Sequence, residues 1–203
     1  MINNIYCVGR NYTEHAKELG NNVEAEPIIF SKPNSSLITD GMATLPNFSD
    51  DIHFETEIVV KINKDGFQID QQDAPSYYDE IAVGLDLTAR DLQTKLKDKK
   101  LPWFLSKGFK DSCYVSPFVL KSSLPKDIMF HMTINNKERQ RGSTKDMIFS
   151  IDQIIVYLSR FITLKKNDLI YTGTPKGVGK LYRGDEITLF LENKEIGKLK
   201  ITI

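Results

Sequence analysis

A regular alternation of apolar and polar positions runs over residues 52–62. Ile52, Phe54, Thr56, Ile58, Val60 and Ile62 share one parity, and His53, Glu55 and Glu57 share the other. A period of two carried by β-branched and aromatic residues predicts a strand. Side chains at i and i+2 of a strand point to the same face, so Glu55 and Glu57 are expected side by side, about 7 Å apart at a rise of roughly 3.3 Å per residue. Two carboxylates so placed repel unless something neutralises them. A hard divalent cation does this, because Mg2+, Mn2+ and Ca2+ take carboxylate oxygen. On the pattern alone, a solvent-facing polar side of an antiparallel strand is the better reading.

Apolar runs predict further strands at residues 5–8, 28–30, 81–87, 114–120, 168–171, 187–191 and 196–203. A second alternation, Ile128, Phe130, Met132 and Ile134, predicts a strand that ends at the Asn135-Asn136 turn. Asn63-Lys64-Asp65-Gly66 reads as a hairpin-type turn. Residues 68–77 and 137–147 are polar and read as irregular. Three helices are expected. The first runs from an Asn11 cap to Leu19 and carries His15 and Glu18 at i, i+3 on one face. The second runs over residues 89–97 behind a Thr88 cap. The third follows a Ser150/Gln153 capping-box variant, with Ile154, Ile155, Leu158 and Phe161 on one face. Many strands and three modest helices make an α+β, mainly β fold in one domain spanning residues 1–203.

Three places in this framework carry candidate chemistry. Asp86 lies near the end of an apolar run, where a carboxylate is costly unless it is paired or on a metal. Arg90 and Gln93 share a face of the next helix, close to it in sequence. His15 and Glu18 read either as a surface histidine with a nearby acid or as a catalytic pair on a movable flap.

Composition narrows the classes. Lys plus Arg and Asp plus Glu number 27 each, so no net field recruits nucleic acid or an anionic membrane. No apolar run reaches membrane-span length. The first residues have neither the basic start nor the apolar core of a signal peptide. Two cysteines, Cys7 and Cys113, are too few for a disulfide scaffold. A cytoplasmic location with reduced, buried thiols is the expectation. The glycine-rich stretch Thr172-Gly173-Thr174-Pro175-Lys176-Gly177-Val178-Gly179 lacks the G-x-x-x-x-G-K-[ST] string, so a phosphate-binding loop is not expected. Its backbone amides could still hold a carboxylate.

Several motifs occur in a fixed order: Cys7-Val8-Gly9-Arg10-Asn11-Tyr12 with His15 and Glu18; Phe30-Ser31-Lys32-Pro33; His53-Phe54-Glu55-Thr56-Glu57; Asp86-Leu87-Thr88-Ala89-Arg90-Asp91-Leu92-Gln93; Lys107-Gly108-Phe109; and the glycine-rich stretch. Together they resemble the fumarylacetoacetate hydrolase family in its short single-domain form, from residue 7 to about residue 185. Lys110 departs from the family pattern, in which an acid or a neutral residue commonly follows Lys-Gly-Phe.

The resemblance implies a mixed β-sheet roll with a few short helices, like the family's C-terminal domain, in a homodimer. It implies Glu55, Glu57 and Asp86 as ligands of Mg2+ or Mn2+, and Lys107 in the pocket. It also implies His15 and Glu18 on a lid, and Arg10, Gln93, Gly173 and Thr174 at the substrate. Arg90 would brace the acidic site, and His53 has a simple polar role. The implied substrate is a small 2-keto acid. C3–C4 cleavage of a 3-acylpyruvate would pass through an enolate, with His15 activating water and Lys107 facing the oxyanion. The same enolate would serve oxaloacetate decarboxylation or 2-keto acid isomerisation. A non-enzymatic alternative is a β-rich binding module built around a structural Ca2+ site.

Overall fold

The structure, a computed structural model, describes residues 2–14 and 25–202. Along the chain the described strands are β1 (Ile5–Gly9), β2 (Ile28–Lys32), β3 (Met42–Ala43), β4 (Ile52–Phe54), β5 (Thr56–Ile62), β6 (Tyr78–Asp86), β7 (Thr88–Ala89), β8 (Cys113–Val115), β9 (Val119–Leu120), β10 (Met129–Ile134), β11 (Lys137–Ser143), β12 (Leu169–Tyr171), β13 (Gly179–Lys180), β14 (Glu186–Leu191) and β15 (Lys194–Ile201). The described α-helices are α1 (Arg90–Asp98), α2 (Phe104–Lys107) and α3 (Ile151–Ser159). The fold is mainly β with few helices, as expected. None of the described helices is long and apolar enough to cross a membrane.

Three sheets share the chain. One runs β2-β1-β12-β5-β6-β8 with β9 also on β6, a second runs β11-β10-β14-β15-β3, and a third is β13-β4-β7. The first is mixed: β1 pairs with β12 in parallel, whereas β5 pairs antiparallel with both β12 and β6. A main core packs Ile58, Val60 and Val83 with Phe130, Met132 and Leu189 and with the inner face of α3. Cys7 and Cys113 lie in a smaller core on the other side of the first sheet. Burial lifts the Cys113 thiol to about 12 and raises Cys7 well above the ordinary thiol value, so both are inert at neutral pH.

Several sequence expectations change in the folded chain. Residues 52–62 form two strands rather than one, because the chain leaves the β4 sheet and enters the β5 sheet at Glu55. Ile58, Val59 and Val60 are all fully buried, so both faces of β5 are inside and the solvent-facing reading of Glu57 fails. Thr88 belongs to β7, its hydroxyl donates to the Asp86 carbonyl, and it caps no helix. Pro117 divides the run 114–120 into β8 and β9, both paired to β6. The polar segment 137–147 contains edge strand β11. The Ser150/Gln153 capping box is present, but α3 ends at Ser159, leaving Phe161 exposed. The helix expected from Asn11 to Leu19 lies mostly outside the described residues. Asn11 itself is buried, donating to the carbonyls of Phe149 and Thr172 and accepting from the Phe149 N–H.

Candidate metal centre and active site

Strand register builds the acidic centre. Across the β5–β6 pair, Thr56 faces Leu85 and Glu57 faces Gly84. One residue further on, the Asp86 N–H donates to the Glu55 carbonyl at 2.9 Å, so these two acids sit opposite each other where β5 begins and β6 ends. Glu57 joins them from the same side of β5. One carboxylate oxygen from each of Glu55, Glu57 and Asp86 lies within 4.8 Å of the others. All three residues are buried. Gly84 keeps the space tight: a Cβ there would come 2.6 Å from the Tyr171 ring and 2.7 Å from the Tyr114 carbonyl.

Cations close around the acids. Lys107, at the end of α2, donates to Glu55 Oε2 at 2.6 Å and to Asp86 Oδ2 at 2.7 Å. Burial alone would pull its ammonium down, but the Asp86 and Glu55 charges outweigh that and hold its pKa above the ordinary lysine value. Arg90, the first residue of α1, donates to Glu55 Oε1 at 2.5 Å and to Gln93 Oε1 at 2.6 Å, which is the bracing role expected of it. Lys32 lies 2.7 Å from Asp86 Oδ1 and donates to the carbonyls of Lys107 and Ser112. It therefore fixes the backbone that carries Lys107 as well as the acid. No role was assigned to Lys32 from the sequence, although it stands inside the Phe30-Ser31-Lys32-Pro33 motif.

Glu57 is the acid without one of these lysine or arginine contacts. Its Oε2 accepts from the Gly173 N–H at 2.7 Å. Burial first, then the Asp86 and Glu55 charges, push its pKa well above the usual carboxylate range, against Lys107 and the Gly173 N–H. An all-oxygen donor set of three clustered acids, one of them strongly disfavoured as an anion, suits a hard divalent cation. The residues therefore fit Mg2+ or Mn2+.

The cleft above the acids is lined by Arg10, Gln93 and Thr174 among others, with Glu55, Glu57 and Lys107 at its base. Thr174 donates to the Thr56 carbonyl at 2.9 Å and accepts from Gln140 at 2.6 Å. The glycine-rich stretch thus contributes a backbone N–H and a hydroxyl, and one amide does hold a carboxylate, that of Glu57. His15 and Glu18 lie outside the described residues. His53 pairs with Asp51 at 3.0 Å on β4 and is not a cleft-lining residue. Lys110 is exposed beside Asp111, so the departure from the family pattern falls outside the cleft.

Comparison with known proteins agrees with this geometry. Residues 4–203 match the family model described as fumarylacetoacetate hydrolase, C-terminal. The mitochondrial oxaloacetate tautomerase of Mus musculus is 45% identical over 187 residues, 91% of this chain and 85% of its own. The mitochondrial oxaloacetate decarboxylase of Dictyostelium discoideum is 41% identical over 187 residues, 90% and 86%. Among solved structures, fumarylpyruvate hydrolase from Pseudomonas aeruginosa, in complex with Mn2+ and pyruvate, superposes with a TM-score of 0.93 at 31% identity, covering 100% of this chain and 90% of that one. These relatives are enzymes, which sets aside the reading as a binding module. On sequence, fold and family model alike, the chain belongs to the fumarylacetoacetate hydrolase family.

Proposed function

We propose that this enzyme forms and discharges the enolate of a small 2-keto acid, and that tautomerisation of oxaloacetate is its principal reaction. The observation that carries the reading is the convergence of Glu55, Glu57 and Asp86 within 4.8 Å. The names of relatives 40–45% identical support the oxaloacetate arm.

Held by these three acids, a divalent cation supplies positive charge against the oxygen of an enolate. The protein's own groups do the rest. Lys107, held as an ammonium by Asp86 and Glu55, is a donor and not a base. It stabilises negative charge that develops beside it. Gln93 and Thr174 line the cleft and orient the substrate carboxylate and keto group. His15, with Glu18 three residues on, is the proposed base. It takes the C3 proton, the C3–H electron pair becomes the C2–C3 double bond, and the C2 carbonyl pair moves onto oxygen; protonation there yields the enol. Acylpyruvate hydrolysis is a second reading, supported by the likeness to fumarylpyruvate hydrolase. In that reaction His15 would deprotonate the attacking water.

The test is to follow keto–enol exchange of oxaloacetate, and cleavage of acetylpyruvate, with Mg2+- or Mn2+-loaded protein. Metal-dependent enol formation, lost in Glu55→Gln and in His15→Ala, is the expected result. Full activity after exhaustive chelation would remove the metal, and undiminished turnover by His15→Ala would remove the base.

A further inference from the structure

The two buried lysines at Asp86 are held in different ways. Lys97 and Lys107 line the cleft, whereas Lys32 lies behind the acids with its side chain wholly out of solvent. Lys32 closes β2, paired to Ile5 of β1. Its ammonium lies 2.7 Å from Asp86 Oδ1 and donates to the carbonyls of Leu87 at 3.2 Å, Ser112 at 2.9 Å and Lys107. An ammonium has three protons, so these acceptors saturate it and leave none for a substrate. Lys107 bonds the two carboxylate oxygens Glu55 Oε2 and Asp86 Oδ2 and faces the cleft. The Lys107 carbonyl that accepts from Lys32 also accepts from the Ser112 hydroxyl at 2.8 Å, and the Ser112 N–H donates to the Phe109 carbonyl at 3.2 Å. Residues 107–112 are thus a closed turn gathered on one ammonium. Gly108 lets that turn press on the end of β2, since a Cβ there would come 2.9 Å from Pro33 Cδ.

We propose that Lys32 is a positioning residue for the reaction: it holds one oxygen of Asp86 and the carbonyl of Lys107 together, and it acts on turnover only through the placement of the Lys107 ammonium. This rests on the proposed 2-keto acid reading and deepens it, by dividing the lysines at Asp86 into a fixed one and a working one. Asp86 divides in the same way, with Oδ1 toward Lys32 and Oδ2 toward Lys107. A buried ion pair repays its desolvation poorly as stability. What Lys32 secures is geometry: the Leu87 passage beside Asp86 and the turn that carries Lys107 meet on a single cation. A donor misplaced by about 1 Å costs on the order of a hundredfold in rate, so this meeting point matters to the chemistry although Lys32 touches no substrate.

The test is a double-mutant cycle on turnover, with Mn2+ affinity and crystal structures beside it. Lys32→Met should lower kcat for oxaloacetate enolisation by roughly tenfold to a hundredfold, with KM changed by less than about twofold. The same substitution in a Lys107→Met background should change kcat by less than about twofold, because the group it positions is gone. Mn2+ should bind Lys32→Met at least as tightly as wild type by calorimetry, since Asp86 has lost a competing cation. Ser112→Ala removes a support of the same carbonyl without unpairing a charge. It should lower kcat by about threefold or more, and again not in Lys107→Met. An equal fold-loss in both backgrounds, an unchanged kcat in Lys32→Met, or Mn2+ bound about tenfold more weakly overturns the positioning role. Should Lys32→Met not fold, Ser112→Ala decides on the same kinetic terms. If wild type turns over neither oxaloacetate nor acetylpyruvate, the 2-keto acid reading fails, and metal-free crystals of Ser112→Ala decide the positioning instead. A Lys107 ammonium moved by about 1 Å or more from Asp86 Oδ2 upholds it, and an unmoved one overturns it.

Discussion

Gln140 Nε2 donates to Thr174 Oγ1 at 2.6 Å, and this bond ties the second sheet to the glycine-rich loop at the edge of the acidic centre. Gln140 lies on β11 of the second sheet, while its Oε1 accepts from the N–H of Thr56, the first residue of β5 in the first sheet. Thr174 returns a bond to the Thr56 carbonyl, and Gln140 also donates to the Pro175 carbonyl. The ring is closed and buried, and it pins the residue next to Glu55 to the glycine-rich loop. Gln140→Leu leaves the buried Thr56 N–H without an acceptor, at a cost of about 2 kcal/mol in the unfolding free energy measured with urea. The displaced Thr174 and Glu55 should lower kcat/KM by roughly tenfold to a hundredfold. Loss of stability with unchanged kcat/KM would make Gln140 merely structural.

Lys107 bridges Glu55 and Asp86, the same acids that hold the divalent cation in the proposed reading. Lys107→Met removes a competitor for those oxygens and leaves buried carboxylates less compensated. Without metal, the variant should lose about 3–5 kcal/mol of stability. Mn2+ should restore most of the loss and bind at least as tightly as to wild type by calorimetry. Turnover should nevertheless fall by about a hundredfold or more, because the donor facing the enolate oxygen is gone. Turnover near the wild-type rate would reduce Lys107 to a counter-ion.

Glu57 makes metal binding pH-dependent. Burial, then the Asp86 and Glu55 charges, raises its pKa in the folded chain, so the folded chain keeps a proton that the unfolded chain has released. Between the ordinary glutamate value and the raised one, the metal-free protein therefore loses stability as pH rises. Below that window both states hold the proton, and the group contributes no slope. A bound cation displaces the proton, so metal affinity should climb by up to about tenfold per pH unit through the window. Thermal melts with and without Mg2+ across that range read both slopes, which should be opposite in sign. Glu57→Gln should flatten both, stabilise the metal-free protein near neutrality and abolish turnover. An affinity flat with pH would mean that Glu57 does not titrate at the site.

The acidic trio was legible in the sequence because its members sit in strands with strong patterns and in motifs that occur in a fixed order. Its burial was not. The alternation over 52–62 implies one wet face, but β5 lies between β12 and β6 with both faces covered, and only the sheet order reveals this. Lys32 escaped assignment because its partners, Asp86 and the carbonyls of Lys107 and Ser112, lie more than fifty residues away in the chain. Gln140 escaped for a different reason. Lys137–Ser143 is an edge strand whose inward positions are Gln140, Gly142 and Ser143, so no apolar period marks it. Lys97 falls on a helix with few apolar residues, where spacing alone does not separate a cleft wall from a solvated face. The cytoplasmic expectation gains no support from relatives named as mitochondrial.

Gly173 and Gly184 separate two effects of adding a methyl group. Both have positive φ, +101° and +88°, so alanine is strained at either. At Gly184 a Cβ meets nothing within 4 Å, and the strain alone should cost about 1 kcal/mol. At Gly173 a Cβ would lie 2.6 Å from the Asn11 Cβ and 3.2 Å from the Val8 carbonyl. Asn11 is held by three hydrogen bonds and cannot retreat cheaply. Overpacking there should add about 1–3 kcal/mol to the strain. The shift also draws the Gly173 N–H away from Glu57, whose anion that bond favours against burial and the neighbouring acids. Gly173→Ala should therefore weaken metal binding and depress turnover along with stability, whereas Gly184→Ala should lower the melting temperature alone. Equal catalytic effects in the two variants would show that the Gly173 amide does nothing for the acidic centre.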